Sequence, residues 1–577
     1  MTQSVSFFRK VIYGVAIVAL LFPLFLLGQP ATRSATGGGS AGGKLAQLRS
    51  SYGLSQADLG EIDPASETMK MATLGLRGVA TNLLWTKAVR YKRTENWDRL
   101  SATLNQITRL EPNFITVWEY QAHNLSYNIS AEFDNYRDRY HWVKKGIEFL
   151  MQGTRYNLHS PRLYWNLGWF TSHKIGRADE YVQFRRLFRK DRDFHEEMVP
   201  DINIERANGP DGYPDNWLVG YLWYLKSQDV VDQGVPVTWL RIDPSQRGIN
   251  DKRRSSVIFY SDAPMALIYH ADAVTDEITP GEKTRNAWRR AGKAWTDYGN
   301  MDIPTTLGQP VRLSRLNEIH KIAASMRAKL EALAPGLRKR LFEQRRAKLS
   351  NEERTIYDKM MGFVKRRENA MGVMSQGEMA IARDVHTRLT VTNMEVAEAM
   401  PENLRPKARY FAARANEAAT LGNRTSTFTS IVNYDYWKTR CDVEATKVTA
   451  DARRFMLFGD RAAENGDPEG ARAHYEKAWT EWARILSKYP QLIDTDMRDD
   501  LGGAINRYRL VLEQLDEKFP ENFELNILLK PKEEPDARQP DVPPKEDEAP
   551  AKTTPAAPVA SAPAKAKQAP PKNKANK

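Results

Sequence analysis

Residues 97–125 read WDRLSATLNQITRLEPNFITVWEYQAHNL, and this stretch decides the fold class. Trp97, Leu100, Leu104, Ile107 and Leu110 fall at helical spacing and mark one apolar stripe. Leu110-Glu111-Pro112-Asn113 ends that helix, and Trp118, Ala122 and Leu125 open the next stripe. The pattern returns downstream, where Trp142, Ile147 and Leu150 lead to Pro161, then Trp165, Gly168 and Trp169. Trp97 and Trp142 lie 45 residues apart, and Trp118 and Trp165 lie 47 apart. An internal period in this range predicts stacked helix pairs. The expected fold is all-α.

Working outward, 67–198 reads as a helical repeat block. Residues 199–310 are punctuated by prolines, among them those at 200, 210, 214, 236, 244, 264 and 280, and read as an irregular insertion with short helices. Within it Val237–Ile242 and Val257–Tyr260 have the look of short strands, while Trp217–Trp223 reads as a buried helix. A second helical block fills 311–530. Leu316, Ile319, Ala323, Met326, Leu330 and Leu333 form an amphipathic seam suited to a partner helix. Ser350 with Glu353 and Ser375 with Glu378 predict capping boxes.

The two ends differ from this. Val11–Gly28 is uncharged, follows Arg9 and Lys10, and is long enough to predict a transmembrane anchor. That expectation puts residues 1–10 in the cytoplasm and the bulk of the chain in the periplasm or another extracytoplasmic space. Residues 29–66 read as a Gly-rich linker and juxtamembrane segment. Residues 531–577 are Pro-, Ala- and Lys-rich without apolar periodicity, the composition of a disordered tail.

One hairpin carries a motif. Phe455, Phe458, Gly459, Ala471, Tyr475 and Ala478 stand at relative positions 4, 7, 8, 20, 24 and 27, within 452–490. Gly459 lets the second helix approach, Ala471 and Ala478 supply its contact face, and Phe455 and Tyr475 fill the gaps between hairpins. This pattern resembles the tetratricopeptide repeat. The closing proline is displaced to Pro490, so the second helix is longer than in that family. Trp118 with Ala122, and Gly168, resemble further openings of such repeats at stretched spacing. The resemblance implies a concave surface that binds segments of other proteins, with Asn124, Tyr127 and Asn166 as its candidate contacts. Through residues 82–93 and 111–125 the chain also resembles uncharacterised envelope proteins of planctomycete bacteria labelled "iron responsive element". No iron ligand set accompanies that label in this sequence.

Composition narrows the function classes. The formal charge is +13, spread along 577 residues, and reads as a solvated surface rather than a nucleic-acid footprint. Lys321–Lys348 holds nine Lys/Arg against two Glu, which reads as a solvated helix face. The single Cys441 rules out an intrachain disulfide and reads as a buried thiol. None of the nine histidines has metal-ligand spacing; His195-Glu196-Glu197 reads as a surface turn. Neither a nucleophile elbow nor a phosphate-binding loop is present, so no catalytic, cofactor or metal residue is assigned. The expected function is a membrane-anchored scaffold, not an enzyme, that binds a protein partner. The alternative is an envelope enzyme or accessory subunit with a cryptic site in 199–310.

Overall fold

The computed structural model describes residues 77–235, 257–305, 310–366, 373–493 and 495–529, with isolated positions before residue 77. Every named element among them is a helix; extended chain meets only at two isolated bridges, Asn208 with Pro214 and Ile303 with Val311.

Helix α1 (Arg77–Arg93) packs on α2 (Trp97–Leu110), whose stripe Leu100, Leu104, Ile107 and Leu110 is buried. Asn96 caps α2 by accepting from the Arg99 amide. Helix α3 (Ile115–His123) runs on through a π-helical turn, Asn124–Asn128, and packs on α4 (Tyr136–Tyr156). Helix α5 (Pro161–Trp169) starts with Ser160 as cap and Pro161 at its first position, and it too runs into a π-helical turn, Phe170–Lys174. Its partner is α8 (Asn216–Asp232), reached only after α6 (Tyr181–Lys190) and α7 (Arg192–Met198). Helices α9 (Val257–Glu277) and α10 (Glu282–Asn300) form the next pair, and α9 also packs on α8.

The two π turns begin at Asn124 and Phe170, which is 46 residues apart, the period the tryptophans bracket. Each presents a serine to a glycine of the helix paired with its own, α4 in the first case and α8 in the second. A Cβ on Gly146 of α4 would collide with the Ser126 hydroxyl and the Ala122 carbonyl. A Cβ on Gly220 of α8 would collide with the Ser172 hydroxyl and stand 3.0 Å from the Gly168 carbonyl. Here glycine is required by close approach, not by backbone conformation.

The second half starts with α11 (Leu316–Leu333), seated on the 27-residue α16 (Arg405–Ile431), with α12 (Leu337–Ala347), α13 (Asn351–Arg366), α14 (Gln376–Leu389) and α15 (Asn393–Glu398) between them. Both capping boxes form, at Ser350–Glu353 and at Ser375–Glu378. Then come α17 (Tyr434–Glu444), α18 (Lys447–Glu464), α19 (Pro468–Lys488), α20 (Thr495–Gln514) and α21 (Asn526–Leu529). Helix α17 joins the halves. The Trp295 indole donates to the Tyr434 carbonyl at 2.9 Å, and Arg440 pairs with Asp272 at 2.8 Å.

Three expectations are corrected. First, among the described residues no helix is long and apolar enough to cross a membrane, so the anchor over 11–28 and the single-pass placement built on it do not stand. Most of 11–28 lies outside the described residues. Its 18 uncharged residues reach only the short limit of a spanning helix, and Pro23 interrupts them. Second, Val257–Tyr260 opens a helix rather than a strand, because a short apolar run carries no period to tell the two apart. Third, His195 is buried in α7 against the Phe188 ring, not exposed in a turn. The proposed strand at Val237–Ile242, most of the Gly-rich linker and the 531–577 tail lie outside the described residues.

The serine–glycine contacts make a direct prediction. Gly220→Ala should destabilise the chain by about 1–3 kcal/mol in urea unfolding, as overpacked sites do. Adding Ser172→Ala should recover most of that loss. A Gly220→Ala chain as stable as the parent would show that the close approach is unimportant.

Candidate functional site

Helices α3, α5 and α9 are the first helices of three successive pairs, and side chains from them form one connected face. The His123 and Tyr127 rings stack at 4.6 Å. Tyr127 meets Phe170 edge-on, at 5.6 Å. Trp165 stacks on Trp169 at 5.5 Å, Trp169 on His173 at 3.8 Å, and His173 meets Tyr269 at 5.9 Å. Three cations lie over rings of this row or beside it: Lys92 over Tyr120 at 4.9 Å, Lys174 over Tyr127 at 4.4 Å, and Arg177 over Tyr269 at 4.1 Å.

The π turns aim this row. One extra residue in a turn advances the side chains that follow by about 100° around the helix axis. Ser126 and Ser172 therefore face the paired helices α4 and α8, while Tyr127, Asn128, His173 and Lys174 keep partial solvent contact.

Two carboxylates border the face. Glu119 of α3 accepts from the Asn166 amide at 2.7 Å and pairs with Arg162. Burial pushes its pKa from 4.5 up to about 7, against the pull of Arg162 and Asn166. Asp262 of α9 accepts from the Trp165 indole at 2.6 Å. Burial raises it from 3.8 to about 7, opposed by that one hydrogen bond. The histidines move the other way. Burial, with the Arg177 charge, lowers His173 to about 3. Burial, with Lys92 and Lys174, lowers His123. At neutral pH both rings are uncharged, so the positive charge of the face rests on its lysines and arginines.

Of the three contacts expected from sequence, two lie on this face. Tyr127 is half-buried beneath Lys174, and Asn166 is bonded to Glu119. Asn124 is not on it. The side chain is 1% exposed and tied to Gln121 and Asn128. Its position opens the π turn, where the helical phase that suggested exposure is reset. Trp118 is buried, its indole donating to the Pro112 carbonyl at 2.8 Å, with Gly153 against its ring. Ala122 is buried, and Gly168 lies against the Tyr224 ring. In the α18–α19 hairpin Gly459 lies against the Tyr475 ring, Ala471, Tyr475 and Ala478 are fully buried, and Phe455 is half-buried beside His474. Gly466, with φ of 75°, makes the turn, and Asp467 caps α19.

Glu119, His173, Lys174 and Asp262 are not singled out by the sequence as contacts, and Trp169 stands there only as part of the repeating stripe. For His173 the 46-residue period is a usable signal, since it sets His173 in register with Tyr127.

Residues 199–310 contribute a charged cluster. Asp215 accepts from Arg185 at 2.9 Å, Arg189 at 3.1 Å, the Trp217 amide at 3.0 Å and the His270 ring at 3.1 Å. Arg185 also reaches Glu277 at 2.7 Å. The His270 ring, Arg185 and Arg189 together hold the Asp215 carboxyl far below the usual range despite its complete burial. Asp215 is thus a fully bonded node pinning α6 to α8 and α9. In the basic stretch Arg338, Arg345 and Arg346 are spent on Glu331, Glu395 and Asp358. Cys441 is buried, and burial pushes its thiol up to about 12. Among the described residues no group of three or more His, Cys, Asp or Glu side chains is placed to hold a metal ion.

No family model matches the chain, and no curated protein shows significant similarity to it. The fold agrees with a helical-repeat architecture, while neither resemblance drawn from the sequence gains support from these comparisons.

The raised carboxyls set a pH dependence. A folded-state pKa above the unfolded value means stability is complete below about pH 4 and falls as pH rises through about 7. Asp262→Asn removes one of the two groups. Its stability relative to the parent should grow from near zero at pH 4 to on the order of 1–3 kcal/mol at pH 8. A difference that stays constant across that range would refute the assignment.

Proposed function

We propose that the chain is a scaffold of tetratricopeptide-like helical pairs that holds a segment of another protein along the face of α3, α5 and α9. The observation that carries this reading is the connected row of aromatic rings and cations donated by three successive first helices. Rigid, amphipathic side chains of this kind, Trp, Tyr and Arg above all, dominate the energetics of protein interfaces. Here they lose little on ordering, because stacking and hydrogen bonds already hold them. The α18–α19 hairpin, with Gly459 against Tyr475, adds the small-residue packing expected of such repeats. The bonded state of Asp215 favours a structural role for the cluster in 199–310 over the enzyme alternative.

The test is crosslinking in intact cells, followed by purification and identification of what is attached. A stoichiometric protein partner is expected. Trp169→Ala should reduce its capture at least about tenfold, roughly 1.4 kcal/mol. Tyr410→Ala, on an exposed part of α16, should leave it unchanged. Equal capture by both variants would count against this face.

A further inference from the structure

The face has an electrostatic character that its aromatic row alone does not convey. Lys92, Lys174 and Arg177 come from α1, the second π turn and the residues just after it, and they converge around His123, Tyr127 and His173. Among the described residues none of the three cations forms an ion pair. The carboxylates nearby are engaged or outward. Glu119 is held by Arg162, Asp262 by Trp165, and Glu180 by Arg139, while Asp179 is exposed beyond Lys174. The uncompensated charge of the face is therefore positive.

The chain carries a segment of the opposite character. Residues 531–548, PKEEPDARQPDVPPKEDE, hold seven Asp/Glu, three Lys/Arg and five prolines. The sign then reverses, and 549–577 has six Lys and no acid. Acid and proline are thus concentrated in one short stretch, next to a basic one that this face repels. Proline-spaced chain is cheap to hold extended along an aromatic-lined groove, since little freedom remains to lose.

We propose that this acidic segment, residues 531–548 of the chain, docks on the face formed by Lys92, His123, Tyr127, Trp169, Lys174 and Arg177, its carboxylates on the cations and its prolines against the rings. The segment thereby occupies the surface a partner would use, and a partner must displace it. The inference rests on the scaffold reading for the identity of the face, but it can fail separately.

The experiment uses the full chain with Asn128, which lies on the face, replaced by the photo-crosslinking residue p-benzoylphenylalanine. Irradiation and peptide mapping should find attachment to 531–548, as a monomer if docking is within one chain and as a dimer if between two; either supports the proposal. Lys92→Glu with Lys174→Glu should lower the yield at least tenfold, with an unchanged helical circular-dichroism spectrum. Adding Glu533→Lys, Glu534→Lys and Asp536→Lys to that variant should restore it. Excess synthetic 531–548 peptide should compete. Attachment to other segments, no attachment, or a yield indifferent to the charge changes would overturn the proposal. Should this fail while face-dependent capture of another protein persists, the scaffold reading survives without its internal ligand.

Discussion

The close approach of Ser126 to Gly146, and of Ser172 to Gly220, is the constraint on which the N-terminal half depends. Two helices come near enough that a single methyl group would collide with a hydroxyl and a backbone carbonyl. That proximity is reached by two different chain paths. Gly146 follows Ser126 by 20 residues, and Gly220 follows Ser172 by 48. The 28 additional residues include α7 and the segment leading to α8, yet the helix that returns settles into the same contact. The Arg185–Asp215–Glu277 cluster lies along that longer path, tying α6 to both α8 and α9 with its buried charges paired.

The π turns connect that packing to the accessible face. Both turn a serine inward, and both present the next two side chains outward. A helical segment would otherwise continue its apolar stripe toward the neighbour. The widened turn changes the phase, so inward packing and an outward functional row coexist on one continuous helix. The face consequently holds neutral histidines, carboxyls raised by burial and cations over rings within a small area. The environment that makes the carboxyls hard to ionise is the one that leaves the unpaired cations to set the sign of the field.

The second half is joined to this arrangement through α17. Trp295 and Gly299 of α10 pack on Tyr434, and Cys441 fills the space beside Gly292. Arg440 answers Asp272 across the junction, and behind it Arg453 answers Glu444 and Asp500. Aromatic packing then continues through Tyr475, Trp479 and Tyr508 of α19 and α20.

The sequence by itself determined what is local or periodic. The apolar stripe from Leu100 to Leu110 and the capping boxes at Ser350 and Ser375 were readable because each depends on residues within a turn or two, and the tryptophan spacing was readable because it repeats. Tertiary structure alone decided the rest. Nothing near Asn124 shows that a widened turn begins there, so a residue expected on the surface is buried. Asp262 and Trp165 stand 97 positions apart, and no spacing rule links them. The ionisation of Glu119 and Asp262 follows from how much protein surrounds them, a quantity set by which helices pack on which. Helical phase can be read along a chain only until a turn changes it, and burial can be known only once the neighbours are in place.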